Sequence, residues 1–251
     1  MEVRERYYRT LDSTNNEAKK QAQTHCPEGT VISAGRQTAG RGRRGHDWET
    51  PQDEAVATSM ILYPDIPPEH LPGLTLLAAV AVRRAISGLY GLEGQIKWPN
   101  DVVLKNKKIC GILTEMSAKD GRARYVIVGI GVNVHNRVFP EELADKATSI
   151  DLELPEGKSG DCGALRRRIW EEFVPCYETF VREQSLEFVR EEYERWLVNR
   201  DREVRVLDPA GPWEGIARGI GPGGVLLVET KEGLRPVDSG EVSVRGLYGY
   251  V

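Results

Sequence analysis

The sequence lacks a surplus of basic residues. Its 34 lysine and arginine residues are outnumbered by 38 aspartate and glutamate residues, which gives a formal net charge of −4. A general nucleic-acid-binding protein usually carries a positive surplus across a whole face. The composition therefore argues against nucleic acid as a partner.

Cysteine is scarce and scattered. No C-x-x-C pair occurs, and no two cysteines stand at zinc-ligand spacing with a histidine; the four are Cys26, Cys110, Cys162 and Cys176. We therefore expect reduced thiols in a cytoplasmic protein.

Long apolar runs are also missing from the pattern of the sequence. The N-terminus, MEVRERYYRT, has no apolar segment of the kind found in signal peptides. We expect no window to reach the roughly 18 apolar residues that a membrane helix needs, and hence no membrane as a partner.

The first 200 residues alternate helical and strand patterns. A helix is predicted after residue 13, opened by a capping box between Thr14 and Glu17. An apolar helical pattern over 74–89 ends at Gly91, a plausible C-cap. Strands are predicted within the segments GTVISAG, EAVATSMILY, QIKWP, KKICGILTEMS and RYVIVGIGVNV.

The last part of the chain changes in character. A helical pattern over 163–197 contains Pro175, which we expect to kink or break the helix. Beyond Asn199, short Val/Leu runs alternate with Gly/Pro turns at the spacing typical of a small β-barrel. We therefore predict two domains, 1–200 and 201–251.

The segment GRQTAGRGRRGHDWETP, residues 35–51, is unusually rich in arginine and glycine. Four arginines and three glycines lie between Arg36 and Gly45, with no acidic residue among them. Glycines let backbone N–H groups approach an anion, and arginines provide rigid donors for carboxylate or phosphate. From these residues alone, a solvated loop, an RGG-like nucleic-acid contact and a cradle for a small anion all remain open.

The common nucleotide-binding motifs are absent. There is no G-x-x-x-x-G-K-[ST] motif, and GIGVNV provides only Gly129 and Gly131 of a G-x-G-x-x-G motif. The segment KWPNDVVLKNKKICGI is more specific, because a turn sequence is followed by a hairpin that Asn106 is expected to close. Lys97 and Lys108 flank this hairpin, although a solvated role for Lys108 remains open.

Four segments together resemble the biotin protein ligases, the biotin–acetyl-CoA-carboxylase ligase family. They are GRQTAGRGRRGHDWETP, KWPNDVVLKNKKICGI, VGIGVNV and SGEVSVR, in this order and spacing, and the resemblance extends from DSTNNEA to Arg245. It implies an α/β catalytic domain of the class II synthetase-like, biotin/lipoate ligase fold, with a mixed β-sheet flanked by helices. A C-terminal SH3-like β-barrel is implied as well. Because Ser13 lies so near the start, we expect no helix-turn-helix domain and no DNA binding.

The resemblance also implies an activity. Such enzymes join biotin to ATP, giving biotinyl-5′-AMP and pyrophosphate, and transfer the biotinyl group to a lysine of a biotin carboxyl carrier protein. Mg²⁺ is implied by ATP chemistry, and no Asp/Glu cluster forms a cage, so we expect the ATP phosphates to hold it. A homodimer is usual in the family. The alternatives are a lipoate or octanoate ligase, a non-catalytic biotin- or nucleotide-sensing regulator, and a nucleic-acid-binding protein.

Activation of biotin brings a carboxylate against a phosphate, so cationic donors are needed between them. Two unit charges 4 Å apart interact at about 4 kcal/mol in an effective dielectric near 20. The resemblance implies that Lys108 bridges the two anions while Lys97 and Arg43 stabilise phosphate oxygens. Asp101 is the carboxylate expected near the chemistry, either orienting Lys108 or helping the incoming lysine lose its proton.

The remaining site residues are also implied by the resemblance. Trp48 is expected to stack on adenine and Asn133 to bind its edge, although a core role and a turn role remain open for them. Residues 37–48 are expected to close over the ligand. The implied biotin-binding residues are Ser13, Thr14, Asn15, Gln37, Gly40, Arg41, Lys108, Gly111 and Ile112. The implied adenylate-binding residues are Arg41, Arg43, Arg44, Trp48, Lys97, Asn100, Lys108, Gly129, Asn133 and Arg245, with Glu241 nearby.

Overall fold

The computed structural model of the protein describes residues 1–119, 122–208, 210–240 and 243–246. Within these ranges it gives the backbone but not the side chains of Ser243 and Arg245. Glu241 lies outside the described residues. The described chain forms two β-sheets, one of seven strands and one of five.

The first sheet is mixed. Its strands lie in the order β1-β2-β3-β7-β6-β5-β4, with β1 and β2 parallel and the other neighbours antiparallel. Every residue of β3 is buried, as expected for a central strand that is covered on both faces. The strands are β1 (Arg4–Leu11), β2 (Thr30–Gln37), β3 (Ala55–Leu62), β4 (Gln95–Lys97), β5 (Asp101–Leu104), β6 (Lys107–Lys119) and β7 (Arg122–Asn133).

Helices cover both faces of this sheet. One face packs against α1 through a small cluster that includes Ala18 and Ile61. The opposite face belongs to a larger cluster that includes residues of α2 and α4, among them Leu77 and Phe173. The helices are α1 (Thr14–Gln23), α2 (Gly73–Tyr90), α3 (Ile150–Glu153), α4 (Cys162–Glu183) and α5 (Glu187–Trp196). The predicted α/β class is confirmed, and Gly91 caps α2 in the left-handed region at φ 67°.

The expectation that no segment is apolar enough for a membrane helix is wrong for the region of α2. The helical stretch Pro68–Tyr90 is long and apolar enough to cross a membrane, with a mean hydropathy of 1.3 in its most apolar window. Of that window, 61% is buried inside the protein. A core helix passes the same test of length and composition, so this one stretch is weak evidence for a membrane span.

Three further local predictions differ from the structure. Ser13, not Thr14, is the N-cap of α1, and its own side chain makes no capping bond; Gln37 from β2 instead accepts from the backbone N–H and the hydroxyl of Thr14. Pro175 does not break helix α4, because buried apolar residues such as Tyr177 pack on the core to either side; a kink there stays a prediction. Strand β1, parallel to β2, was not predicted; much of it is exposed, so it shows little apolar pattern.

The second sheet is entirely antiparallel, in the order β11-β10-β9-β8-β12. Its strands are β8 (Glu203–Leu207), β9 (Trp213–Ile220), β10 (Leu226–Thr230), β11 (Gly233–Val237) and β12 (Ser243–Gly246). Within the described ranges no pairing joins β11 to β12, so closure into a barrel stays a prediction. The sheet shares the large core cluster with α2, and Trp98 Nε1 donates to the Gly224 carbonyl at 3.0 Å.

Candidate active site

A narrow cleft opens between the start of α1, the 37–48 loop and strands β6 and β7. It has a water-accessible volume of about 50 Å³. Most of the predicted biotin and adenylate residues line it. The lining residues are Ser13, Thr14, Asn15, Gln37, Arg41, Gly42, Arg43, Trp48, Asn100, Lys108, Gly111, Ile112, Leu113, Gly129, Ile130 and Gly131.

A chain of side-chain hydrogen bonds forms one wall of the cleft at the start of α1. Gln37 Oε1 accepts from the Thr14 backbone N at 2.8 Å and lies 3.1 Å from the Thr14 hydroxyl. Gln37 Nε2 in turn donates to Thr50 Oγ1 at 3.0 Å. Because the first N–H groups of a helix lack partners within it, Gln37 satisfies one of them and is fixed in return. The wall thus presents amide and hydroxyl groups in a set orientation.

Two glycines on neighbouring strands form the floor of the cleft. Gly111 of β6 and Gly131 of β7 are register partners. A Cβ on Gly131 would lie 2.5 Å from Trp48 ring atoms, and one on Gly111 would lie 3.1 Å from the same indole. The indole therefore lies across this flat floor, and only glycine allows the approach at Gly131. In this structure Trp48 occupies the floor and narrows the cleft.

A lysine faces the cleft from the β5–β6 hairpin. The turn at Lys105 and Asn106 has positive φ values of 47° and 65°, which confirms the predicted role of Asn106. Lys108 Nζ lies 2.7 Å from Asp101 Oδ1 and 5.7 Å from the centroid of the Trp48 ring. Asp101 itself is buried. The carboxylate therefore holds the ammonium group of Lys108 at the edge of the cleft.

Arg43 connects the 37–48 loop, called the Gly/Arg loop below, to two other parts of the chain. Its Nη1 donates to Asn100 Oδ1 at 2.9 Å, and its Nη2 donates to the backbone carbonyls of Ser239 and Gly240. Burial lowers the pKa of the Arg43 guanidinium, while the charge of Asp101 opposes that shift. Arg43 therefore links the loop both to the β4–β5 turn and to the segment that follows β11.

Arg41 contacts helix α1 and strand β6. It donates to Asn16 Oδ1 at 3.1 Å and lies 3.4 Å from Glu115 Oε1 on β6. Glu115 was missed by the sequence analysis. A usable signal existed, because residues i and i+2 on a strand share a face, which places Glu115 on the face of Gly111 and Leu113.

Several predicted residues do not line the cleft. Lys97 on β4 is buried and is the register partner of Asp101. Asn133 is buried and its Nδ2 donates to the Thr148 carbonyl at 3.0 Å. Gly40 lies at the base of the loop, where its carbonyl accepts from Trp48 N at 3.0 Å.

Arg44 and Arg245 are the two remaining residues of the predicted adenylate-binding set. Arg44 lines a neighbouring cleft, together with Thr75 and Ser239. Arg245 belongs to β12, with its backbone opposite Arg205, and its side chain is outside the described atoms.

Two family models match the chain. The biotin/lipoate A/B protein ligase family matches residues 7–133, and the biotin protein ligase C terminal domain matches residues 201–245. The cleft lies in a mixed sheet, with arginine and lysine at its edge and glycines at its floor, and the chain matches two domain models of one class of ligase. The chain belongs to the biotin/lipoate A/B protein ligase family.

Individual relatives agree with this assignment. The chain is 39% identical to the bifunctional ligase/repressor BirA of Bacillus subtilis over 243 residues, which cover 95% of this chain and 73% of that protein. It is 40% identical over 125 residues to the biotin--[acetyl-CoA-carboxylase] ligase of Paracoccus denitrificans, which cover 49% of this chain and 51% of that protein.

A solved structure matches along the whole described fold. The biotin protein ligase of Aquifex aeolicus in complex with biotin and ATP superimposes with a TM-score of 0.83 at 29% identity, covering 97% of this chain and 99% of that one. The predicted family and the biotin protein ligase fold are confirmed.

Proposed function

We propose that the protein is an ATP-dependent biotin protein ligase. It activates biotin as biotinyl-5′-AMP and transfers the biotinyl group to a lysine of a biotin carboxyl carrier protein. The observation that carries this proposal is one cleft in which the Lys108–Asp101 ion pair faces the Thr14–Gln37 wall. The name of the Paracoccus denitrificans relative supports biotin as the acyl group and acetyl-CoA carboxylase as the source of the acceptor, and the Aquifex aeolicus structure supports biotin and ATP as substrates.

In the first step a biotin carboxylate oxygen attacks the α-phosphorus of ATP, and pyrophosphate leaves with the electrons of the broken P–O bond. The cations must stand where the two anions meet. Lys108 is positioned for this by Asp101, 2.7 Å away. Arg43 reaches the same rim and must exchange backbone carbonyl partners for phosphate oxygens. A fixed donor aimed at developing charge contributes about 3–4 kcal/mol to transition-state stabilisation.

In the second step the acceptor lysine amine attacks the acyl carbon of biotinyl-AMP, the bond to the phosphate oxygen breaks and AMP leaves. The amine loses a proton as the amide forms. The short contact with Lys108 supports an orienting role for Asp101, because its Oδ1 is already committed to the ammonium group. Loop 37–48 excludes water from the mixed anhydride, which would otherwise hydrolyse.

The lining of the cleft supports a division of residues between the two substrates. Biotin binds against the α1 wall and the glycine floor, formed by Ser13, Thr14, Asn15, Gln37, Gly111 and Ile112. The nucleotide binds toward Arg43, Asn100 and Lys108. Trp48 leaves the floor and stacks on adenine, which frees the space that its indole fills in this structure.

The side chains of this cleft suit Mg²⁺ only as an ion that enters bound to ATP. Among the described residues no group of three or more His, Cys, Asp or Glu side chains could hold a metal ion. The Asp101 carboxylate is paired with Lys108. Mg²⁺ would therefore be held by the ATP phosphates and water, where it screens negative charge.

The larger organisation follows the family. We propose a catalytic domain over 1–200 and a C-terminal SH3-like domain over 201–251, which the match of the second model to residues 201–245 supports. We also propose a homodimer and a cytoplasmic location. The four free cysteines support the cytoplasm.

A transfer assay tests this function. The protein is incubated with biotin, ATP, Mg²⁺ and a biotin carboxyl carrier domain, and intact mass is followed. We expect the acceptor to gain one biotinyl group, and the acceptor with its target lysine changed to arginine to gain none. Modification by lipoate or octanoate in place of biotin would assign the chain to another acyl group.

A further inference from the structure

Glu115 connects three separate parts of the cleft's surroundings. The side chain is 18% exposed, and its Oε1 lies 2.7 Å from Lys19 Nζ on α1. Its Oε2 accepts from Asn15 Nδ2 at 2.8 Å. Oε1 also lies 3.4 Å from an Arg41 nitrogen of the Gly/Arg loop. One carboxylate on β6 thus touches both α1 and the loop.

The α1 side of this network is rigid. Asn15 is buried, and its Nδ2 also approaches the Leu113 carbonyl at 3.3 Å. Its Oδ1 accepts from Ser59 Oγ at 2.6 Å. A Cβ on Gly129 would lie 2.1 Å from the same Oδ1, so the amide rests directly on the β7 backbone. Both ends of the Asn15 amide are therefore fixed before Glu115 adds its bond.

On the loop side of the network, the Arg41 side chain is held by the charge of Glu115 and by the amide of Asn16. The Arg41 side chain is 47% exposed. Its described partners are Glu115 and Asn16 Oδ1, which lie on β6 and α1. Lys19 contacts the same Glu115 oxygen at a shorter distance than Arg41 does. Glu115 therefore interacts with two cations at once.

Glu115 is charged at neutral pH. Burial acts to raise its pKa, but hydrogen bonds from Lys19 and Asn15 and the charges of Lys19 and Arg41 outweigh burial and lower the pKa.

We propose that Glu115 is a positioning residue that latches the Gly/Arg loop onto α1 through Arg41. In this role Arg41 closes the loop over the acyl end of the cleft and does not contact phosphate. The proposal rests on the proposed function, because the loop's task is to retain biotinyl-AMP. It revises the expectation that Arg41 binds the adenylate.

Four variants of the full chain test the latch, namely Arg41→Ala, Glu115→Gln, the double variant and Lys19→Met. Glu115→Gln keeps the side-chain shape and an acceptor for Asn15, but removes the charge that attracts Arg41. Lys19→Met is the matched control, because it removes a cation from the same carboxylate and leaves Arg41 in place. Backbone hydrogen exchange of residues 37–48 reports loop opening without any substrate. The rate at which bound biotinyl-AMP is released reports retention.

We expect Arg41→Ala and Glu115→Gln each to raise loop exchange and adenylate release about fivefold, the effect of an ion pair worth about 1 kcal/mol. The double variant should match Arg41→Ala, because Glu115 has no partner on the loop once the Arg41 side chain is gone. Lys19→Met should leave both rates unchanged, and its single-turnover adenylate formation at saturating biotin should stay within about twofold of the wild type.

Two results would overturn the latch: unchanged loop exchange in both single variants, or effects that multiply in the double variant. If Glu115→Gln lowers stability, loop exchange in Arg41→Ala still tests the latch, because the Arg41 side chain is exposed. A wild-type protein that forms no biotinyl-AMP, but whose loop opens in the variants, would refute the proposed function and leave the latch standing. Normal biotinyl-AMP formation by the wild type, with no change of loop exchange in the variants, would refute the latch and leave the proposed function standing.

Discussion

Lys108 Nζ and Asp101 Oδ1 lie 2.7 Å apart on the neighbouring strands β6 and β5. A register shift between Val102 and Val103 places an extra β6 residue between the pairs that flank it. Such a bulge re-aims the side chains of the strand that carries it. Lys108 therefore lines the cleft in an orientation set by a buried carboxylate, before any substrate adds its own charge.

Asp101→Asn should slow both chemical steps by about 10–100-fold while biotin affinity changes much less, because an electrostatic orienter acts mainly on developing charge. Single-turnover rates and calorimetric titration with biotin measure the two effects. Glu171→Gln, an exposed acid on α4, is the control and should change neither. Equal losses in affinity and rate would show that Asp101 is purely structural.

Arg43→Gly should release biotinyl-AMP into solution. The arginine links the loop to Asn100 and to the carbonyls of Ser239 and Gly240, and glycine removes all of these contacts. Free adenylate acylates exposed lysines, so we expect biotin to appear on an added bystander such as serum albumin.

Arg44→Gly is the control for this release, because it removes the same charge one residue away at a backbone with φ 57° that suits glycine. We expect far less bystander labelling from it. Full retention of the intermediate by Arg43→Gly would remove the loop-closing role from that arginine.

Gly131→Ala should destabilise the protein by about 1–3 kcal/mol, the usual effect of overpacking, because the new Cβ would meet the Trp48 ring at 2.5 Å. Gly94→Ala is the control, since its nearest contact would be an ordinary 3.4 Å. Urea unfolding measures both. Equal stability of the two variants would mean that Trp48 does not rest on the glycine floor in solution.

The contribution of Glu115 to stability should depend on pH. Its folded-state pKa lies below the ordinary 4.5, so its charge stabilises the fold above that value and the benefit is lost as pH falls through the folded-state pKa. The difference in unfolding free energy between wild type and Glu115→Gln should therefore shrink from pH 7 to pH 3. A difference that stays constant across this range would rule out the ion pairs as its cause.

Much of the site could be predicted from the sequence where the determining features are local. The hairpin at Asn106 follows from turn residues, and its geometry brings Lys108 beside Asp101. The Gly/Arg loop was recognisable by composition alone. Its target could not be derived from composition, because the residues that meet it come from α1, β6, β7 and the segment that follows β11.

The errors arise where tertiary contacts override local preference. A capping box was expected at Thr14, but Gln37 from β2 takes both its backbone N–H and its hydroxyl. Pro175 remains inside α4 because the packing on both sides holds the helix. The strand pattern places Glu115 on the face of Gly111, but its partners Lys19 and Arg41 become known only once β6 is placed beside α1 and the loop.

The central claim is that this cleft adenylates biotin, and product analysis tests it most directly. Wild-type protein and Lys108→Met are incubated with labelled biotin, ATP and Mg²⁺, without acceptor. The account predicts biotinyl-5′-AMP and pyrophosphate in equal amounts from the wild type, and product formation slowed by at least about 100-fold in Lys108→Met. No adenylate from the wild type, or an adenylate formed only with lipoate, would contradict it.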